Sequence, residues 1–182
     1  MAFLWPLQER STEPSAKRTM IETETQAQII HSDSTPTISV ITPAYNAAKY
    51  IGEALDSVLH QTFASHEVIV INDGSPDTDE LERELEKSPA TIRYIKQENR
   101  GAAAARNAGL RWARGEYVAF LDSDDRWLPN FLAEQLEFLK SSNADVVFSD
   151  AVLFGESVLA GRTFMELDPP KSAVTPESLL AV

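Results

Sequence analysis

The sequence predicts an α/β protein built on an open, mostly parallel sheet flanked by helices. Three observations carry that expectation. Short apolar, β-branched runs such as Ile38–Ile41, Val68–Ile71 and Tyr117–Leu121 show no polar alternation, as strands buried on both faces should. Stretches with helical spacing separate them, and strict strand–helix alternation is the pattern of parallel sheets. Finally, each run stops abruptly in a polar cluster, so the chain turns at the same end of every strand.

Residues 1–36 are rich in Ser, Thr, Glu and Gln and read as a flexible leader, with a short helix around Met20–Ile30. A domain is expected over 37–155. Ile38–Ile41 is its first strand, stopped by Thr42-Pro43. Ala47–His60 spaces Tyr50, Ile51, Ala54, Leu55, Val58 and Leu59 as one helical face. Val68–Ile71 is the second strand. Asp77-Thr78-Asp79-Glu80 reads as an N-cap with a reciprocal Glu, opening a helix to about Lys87. Thr91–Ile95 is a third strand, and Gly101–Arg114 a helix closed by Gly115. Tyr117–Leu121 is the fourth strand. Pro129–Lys140 reads as a helix with Pro in its first turn, and Asp145–Phe148 as a fifth strand. Residues 156–182 form a C-terminal segment, in which Thr175-Pro176-Glu177 opens a further helix.

Composition excludes several functions. A net charge of −12 opposes nucleic-acid binding, which needs a basic face. Without cysteine there is no disulfide, thiolate metal site or Cys nucleophile. His31, His60 and His66 lack ligand spacing. No apolar run reaches membrane-span length and no signal peptide is evident, so a cytoplasmic location is the default, the inner membrane face included.

The polar clusters follow the four strands in turn: Pro43-Ala44-Tyr45-Asn46, Asn72-Asp73-Gly74-Ser75, Asn99-Arg100-Gly101 and Asp122-Ser123-Asp124-Asp125. All lie at carboxyl ends, where doubly wound sheets bind ligands. The last cluster crowds three acids into four residues. That costs free energy unless a cation offsets it, and Mg²⁺ or Mn²⁺ takes such oxygen ligands together with substrate phosphates. A solvated turn that caps the next helix is the alternative. Gly101 opens a helix of small residues whose N-terminus favours anions, and Arg106 and Asn107 on it could bind a nucleotide or orient the acids. Neither a Rossmann glycine fingerprint nor a P-loop is present.

Taken together, Ser39–Asn46, Tyr50-Ile51 with Gln61-Thr62, Glu67–Ser75, Asn99–Gly101 with Ala105–Asn107, and Gly115–Asp125 with Trp127-Leu128-Pro129 resemble, in order, the signatures of family 2 glycosyltransferases. The resemblance implies a Rossmann-like GT-A fold, a nucleoside-diphosphate sugar donor (UDP most often) and a divalent metal, Mn²⁺ or Mg²⁺. It implies a saccharide, lipid-linked or protein acceptor, and inversion at the anomeric carbon. It places Pro43, Tyr45, Asn46, Asp73, Gly101, Arg106, Asp122 and Ser123 at the donor, Asp73 on the base. It places the metal among Asp122, Asp124 and Asp125.

The family's catalytic base lies beyond the acidic strand, and nothing in 151–182 matches its context: Glu156, Glu166, Asp168 and Glu177 are isolated. Asp150 is expected to be acceptor-side or structural. The expectation is therefore a donor-binding half, truncated before its base. A non-catalytic nucleotide-sugar binding or regulatory module shares every donor-side residue. A phospho-acceptor receiver would need a Lys after a later strand, which is missing at Phe148-Ser149-Asp150, and nucleotidyltransferases need a basic Gly-rich loop where Pro43–Asn46 stands.

Overall fold

The computed structural model of the chain describes residues 3–7, 35–88, 92–142, 144–156 and 158–169. Its elements run β1 (Phe3–Pro6), β2 (Ile38–Ala44), α1 (Ile51–Leu59), β3 (His66–Asp73), α2 (Thr78–Glu86) and β4 (Ile92–Gln97). They continue through α3 (Ala102–Trp112), β5 (Tyr117–Phe120), α4 (Phe131–Ser142), β6 (Val147–Phe148) and α5 (Phe164–Leu167). One sheet takes the order β4-β3-β2-β5-β1-β6. β2 pairs in parallel with β3 and β5, and β3 with β4, whereas β1 is antiparallel to both β5 and β6. The mostly parallel α/β architecture matches the expectation.

The chain moves outward from β2 through β3 to β4, then returns to place β5 on the other side of β2. That reversal opens a crevice at the carboxyl ends of β2 and β5, the usual ligand position in such sheets.

Strand alternation sorts the core into two layers. On one face Ile38, Val40, Val68, Val70, Ala119 and Leu121 pack against α1, α2 and α4 through Ile51, Leu55, Leu81, Leu132 and Leu136. On the other, Ile41, Ile69, Ile71, Val118 and Phe120 meet α3 through Ala105 and Ala108. Small residues bring α3 close: a Cβ on Gly109 would lie 2.4 Å from Ile41 Cγ2. No bulkier residue fits there without moving the helix off the sheet.

Several local expectations need correction. Phe3–Pro6 is not part of a flexible leader. It is a sheet strand, with Leu4 wholly buried between β5 and β6. The helix expected over Met20–Ile30 and the cap at Thr175–Glu177 lie outside the described residues. β2 runs on to Ala44, paired with β3 through Pro43↔Ile71. Proline is tolerated because the β5 ladder ends at Ile41↔Phe120. The carbonyl of Ile41 faces β5, so by parity the missing N–H of Pro43 faces the open crevice rather than a partner strand. β4 extends to Gln97. The last strand is only Val147–Phe148, because its neighbour β1 offers only Phe3 and Leu4. α4 starts at Phe131, with Pro129 in the preceding turn, where its carbonyl accepts the Thr62 N–H at 2.8 Å.

Tyr94 on β4 accepts a hydrogen bond from Asn72 Nδ2 at 2.7 Å. Burial, with the Glu82 carboxylate reinforcing it, pushes its phenol up to about 12. Because the folded value is raised, this contribution to stability is complete below pH 10 and declines as pH rises toward 12. Burial raises the Tyr117 phenol as well, so tyrosinate absorbance should show a late-titrating fraction that shrinks, without vanishing, in Tyr94→Phe. Leu4→Ala should cost about 2–5 kcal/mol in urea denaturation. A loss within about 0.5 kcal/mol, as at a surface position, would mean that β1 is not docked.

Candidate active site

The crevice holds a cleft of about 330 Å³. Pro43, Tyr45 and Asn46 line it from the end of β2, Asp73 from β3, Arg106 from α3, and Asp122, Ser123 and Asp124 from the loop after β5. Eight of the residues expected at the site thus share one cavity. Gly101 does not line it; its neighbour Ala102 does. Asp125 is likewise outside the lining, and its N–H closes a turn onto the Asp122 carbonyl at 3.0 Å.

Asp73 is 3% exposed, and its carboxylate accepts three hydrogen bonds. Gln97 Nε2 at 2.6 Å and the Arg100 N–H at 2.9 Å reach Oδ1, while the Gly101 N–H reaches Oδ2 at 2.8 Å. A buried carboxylate needs such charge-assisted partners. Gly101 takes φ +85° to present its N–H, a conformation that suits glycine. The carboxylate thereby sets where α3 begins, and Ala102 faces the cleft.

Further along α3, Arg106 forms an ion pair with Asp122 Oδ1. Both are about one-third exposed. Three carboxylates against one guanidinium leave the lining net negative, a field that suits a cation. The donor set is all oxygen, which matches Mg²⁺ or Mn²⁺. Among the described residues no three His, Cys, Asp or Glu gather as a metal cluster. Asp122 and Asp124 offer oxygen donors of the kind such a cation takes alongside phosphate oxygens and water.

The acidic loop is held from behind by the end of α1. Ser57 Oγ accepts the Trp127 N–H at 3.1 Å. Gln61, which is buried, donates to the Leu128 carbonyl at 2.7 Å and accepts the Leu132 N–H at 2.9 Å. These contacts give Ser57 and Gln61 a physical role in the site.

Asp77 does not cap α2 as expected. It makes no side-chain cap bond; its carboxylate accepts the Ala48 N–H at 2.8 Å instead. Asp150 is not at the cleft. It accepts N–H groups from Ala151 at 2.8 Å and Met165 at 2.9 Å. The Thr163 side chain, then the Met165 N–H, holds its carboxyl below the usual range. That is a structural role.

Residues not singled out for the site also line it: Ala44, Ala47, Ala102 and Tyr50. Tyr50 was placed on the apolar face of α1, but it sits at the N-cap, 46% exposed, beside the 54% exposed Tyr45. Lys49 Nζ lies 5.0 Å from the Tyr50 ring centroid. Position after a strand end, rather than hydropathy, is the signal that could have marked it.

Residues 39–166 match the sequence profile described as Glycosyl transferase family 2. The chain is 36% identical over 126 residues to UDP-Glc:alpha-D-GlcNAc-diphosphoundecaprenol beta-1,3-glucosyltransferase WfgD of Escherichia coli, covering 69% of this chain and 49% of WfgD. It is 41% identical over 122 residues to glycosyltransferase GlyA of Streptococcus pneumoniae serotype 4, covering 66% of this chain and 17% of GlyA. It thus spans half or less of the length of these relatives. Among solved structures, S. aureus TarS 1–349 in complex with UDP superposes with TM-score 0.58 at 32% identity, covering 67% of this chain and 38% of TarS 1–349. Mannosyltransferase PcManGT from Pyrobaculum calidifontis, in complex with GDP-Man and Mn²⁺, gives 0.53 at 33% identity, covering 59% of this chain and 33% of PcManGT. With its sheet reversal, its acid-lined cleft and a family match over most of its length, the chain belongs to glycosyl transferase family 2.

Proposed function

We propose that this chain is the donor-binding part of a metal-dependent, inverting glycosyltransferase that moves a sugar from a nucleoside-diphosphate sugar to an acceptor hydroxyl. The single observation that carries this reading is that Asp73, from β3, and Asp122 and Asp124, after β5, line one cleft. The solved relatives in complex with UDP and with GDP-Man and Mn²⁺ support it. UDP is the favoured nucleotide, because TarS 1–349 is also known in complex with UDP-GlcNAc.

Asp122 and Asp124 would hold Mn²⁺ or Mg²⁺, which when bound supplies Lewis-acid neutralisation of a diphosphate leaving group. Pro43, Tyr45 and Asn46 would form the nucleoside wall, with Asp73 accepting a hydrogen bond from the base on its less occupied oxygen, Oδ2. Arg106 would orient Asp122 beside the diphosphate, and the α3 N-terminus adds a favourable field for anions. In the reaction the bond from the anomeric carbon to the phosphate oxygen breaks, and its electron pair leaves with the diphosphate. The acceptor oxygen attacks from the opposite side, and its proton goes to a carboxylate base.

Among the described residues the carboxylates lining the cleft are Asp73, Asp122 and Asp124, each already engaged in donor or metal binding in this reading. On this reading none of the three is left to serve as base, and we assign both the base and most of the selection of the acceptor (saccharide, lipid-linked or protein) to residues outside the cleft lining.

Thermal-shift and calorimetric titration with UDP, dTDP and GDP, each with and without Mn²⁺, tests the donor reading. Asp122→Ala and Asp124→Ala should abolish the Mn²⁺-dependent part of the response. Asp73→Asn should weaken the nucleotide response whether or not Mn²⁺ is present. If none of the three nucleotides shifts the melting temperature, the donor reading is wrong. The chain by itself should release UDP from UDP-sugars only slowly, because a general base typically contributes about 10²–10⁴-fold. Fast transfer to any acceptor would show that the base is present after all, and no transfer by a longer chain would favour a non-catalytic binding module.

A further inference from the structure

A relay of two side chains behind the cleft holds the backbone of its nucleoside wall. The Asn46 N–H donates to Ser75 Oγ at 2.6 Å, and the Ser75 hydroxyl donates in turn to Asp77 Oδ1. The other oxygen of Asp77, Oδ2, accepts the Ala48 N–H at 2.8 Å. Neither Ser75 nor Asp77 lines the cleft, yet Tyr45, Asn46 and Ala47, which do, lie within or beside the tethered span. Asn46 takes φ +52°, a left-handed conformation that asparagine tolerates better than other residues with a Cβ and that a tether of its N–H can hold in place.

The relay is itself anchored. The Ser75 N–H donates to Asn72 Oδ1 at 2.8 Å, and the Ser75 carbonyl accepts from Thr78 Oγ1 at 2.7 Å. Ser75 is buried, so its hydroxyl cannot exchange these partners for bulk water at little cost. The Asp77 carboxylate, which could have capped α2, instead faces the neighbouring loop. An acceptor-only group is the chemistry that two converging donors, one N–H and one O–H, require.

From this we infer that Ser75 and Asp77 are positioning residues for the nucleoside half of the donor. They fix Asn46 in its left-handed turn and hold Tyr45 at the angle the base meets. The inference rests on the nucleotide-sugar reading above and deepens it. The relay does not touch the acidic loop, which is tethered separately through Ser57 and Gln61. Its loss should therefore weaken nucleoside recognition and leave the metal-dependent increment intact.

The experiment uses Ser75→Ala and Asp77→Ala, with Glu67→Gln as a control. Glu67 sits at the other edge of the sheet, where it accepts the Arg114 N–H at 2.8 Å. Amide hydrogen exchange read by NMR should show lost protection at Asn46 in Ser75→Ala and at Ala48 in Asp77→Ala, while β2 and β3 amides keep theirs. If the binding-competent loop falls to about a tenth of the population, UDP affinity falls about tenfold. The ratio of UDP affinities with and without Mn²⁺ should not change. Glu67→Gln should lower the melting temperature without altering UDP affinity. Unchanged exchange at Asn46 and Ala48, or wild-type UDP affinity in both relay variants, overturns the inference alone. Failure of the unaltered chain to bind UDP, dTDP or GDP overturns the functional reading, and the positioning role with it.

Discussion

The Asp73 carboxylate is the interaction on which the site depends. Placing an ionised group at 3% exposure is unfavourable unless its lone pairs are occupied, and here Gln97 and two backbone N–H groups occupy them. Those donors come from the end of β4 and the loop before α3. One side chain on β3 therefore fixes the distance from β3 to α3, and with it the position of Arg106. Arg106 in turn holds Asp122. The chain of contacts runs from a buried acid, through a helix start, to the acids at the mouth of the cleft.

The amino ends of the central strands are tied by a second, partly buried polar network. Ser39 Oγ donates to Glu67 Oε1 at 2.7 Å and accepts the Gly115 N–H at 2.9 Å, while Glu67 also binds the Arg114 side chain. This network joins the starts of β2 and β3 to the loop between α3 and β5. α3 is thus held at its beginning by Asp73, and the loop that follows it is held by Ser39 and Glu67.

Much of this was legible in the sequence, and the reasons differ by element. β2, β3 and β5 were readable because burial on both faces leaves an uninterrupted apolar run, and their polar ends identified the rim that holds the cleft. β1 was not readable. Four residues ending in proline carry little local signal, and their partners lie more than a hundred residues away, at Ala119 and Phe148. Asp77 was misassigned because an Asp before a helix is statistically a cap, whereas its real partner, Ala48, is supplied by the tertiary fold. Tyr50 failed for a related reason: helical spacing includes it in the apolar face, but it is the N-cap, one residue before the helix begins, and it lines the cleft. Gln61 was noticed as part of a resemblance, and only the fold shows that it and Ser57 hold the acidic loop.

The antiparallel β1 strand has a consequence for folding. Leu4 must seat between strands more than a hundred residues further along the sequence, against Ala119 and Val147. Closing so long a loop costs entropy before any burial offsets it, which marks this pairing as a contact of high sequence separation and a slow step. Until β1 docks, β5 has β2 as its one strand partner among the described residues, and its other side is an open ladder.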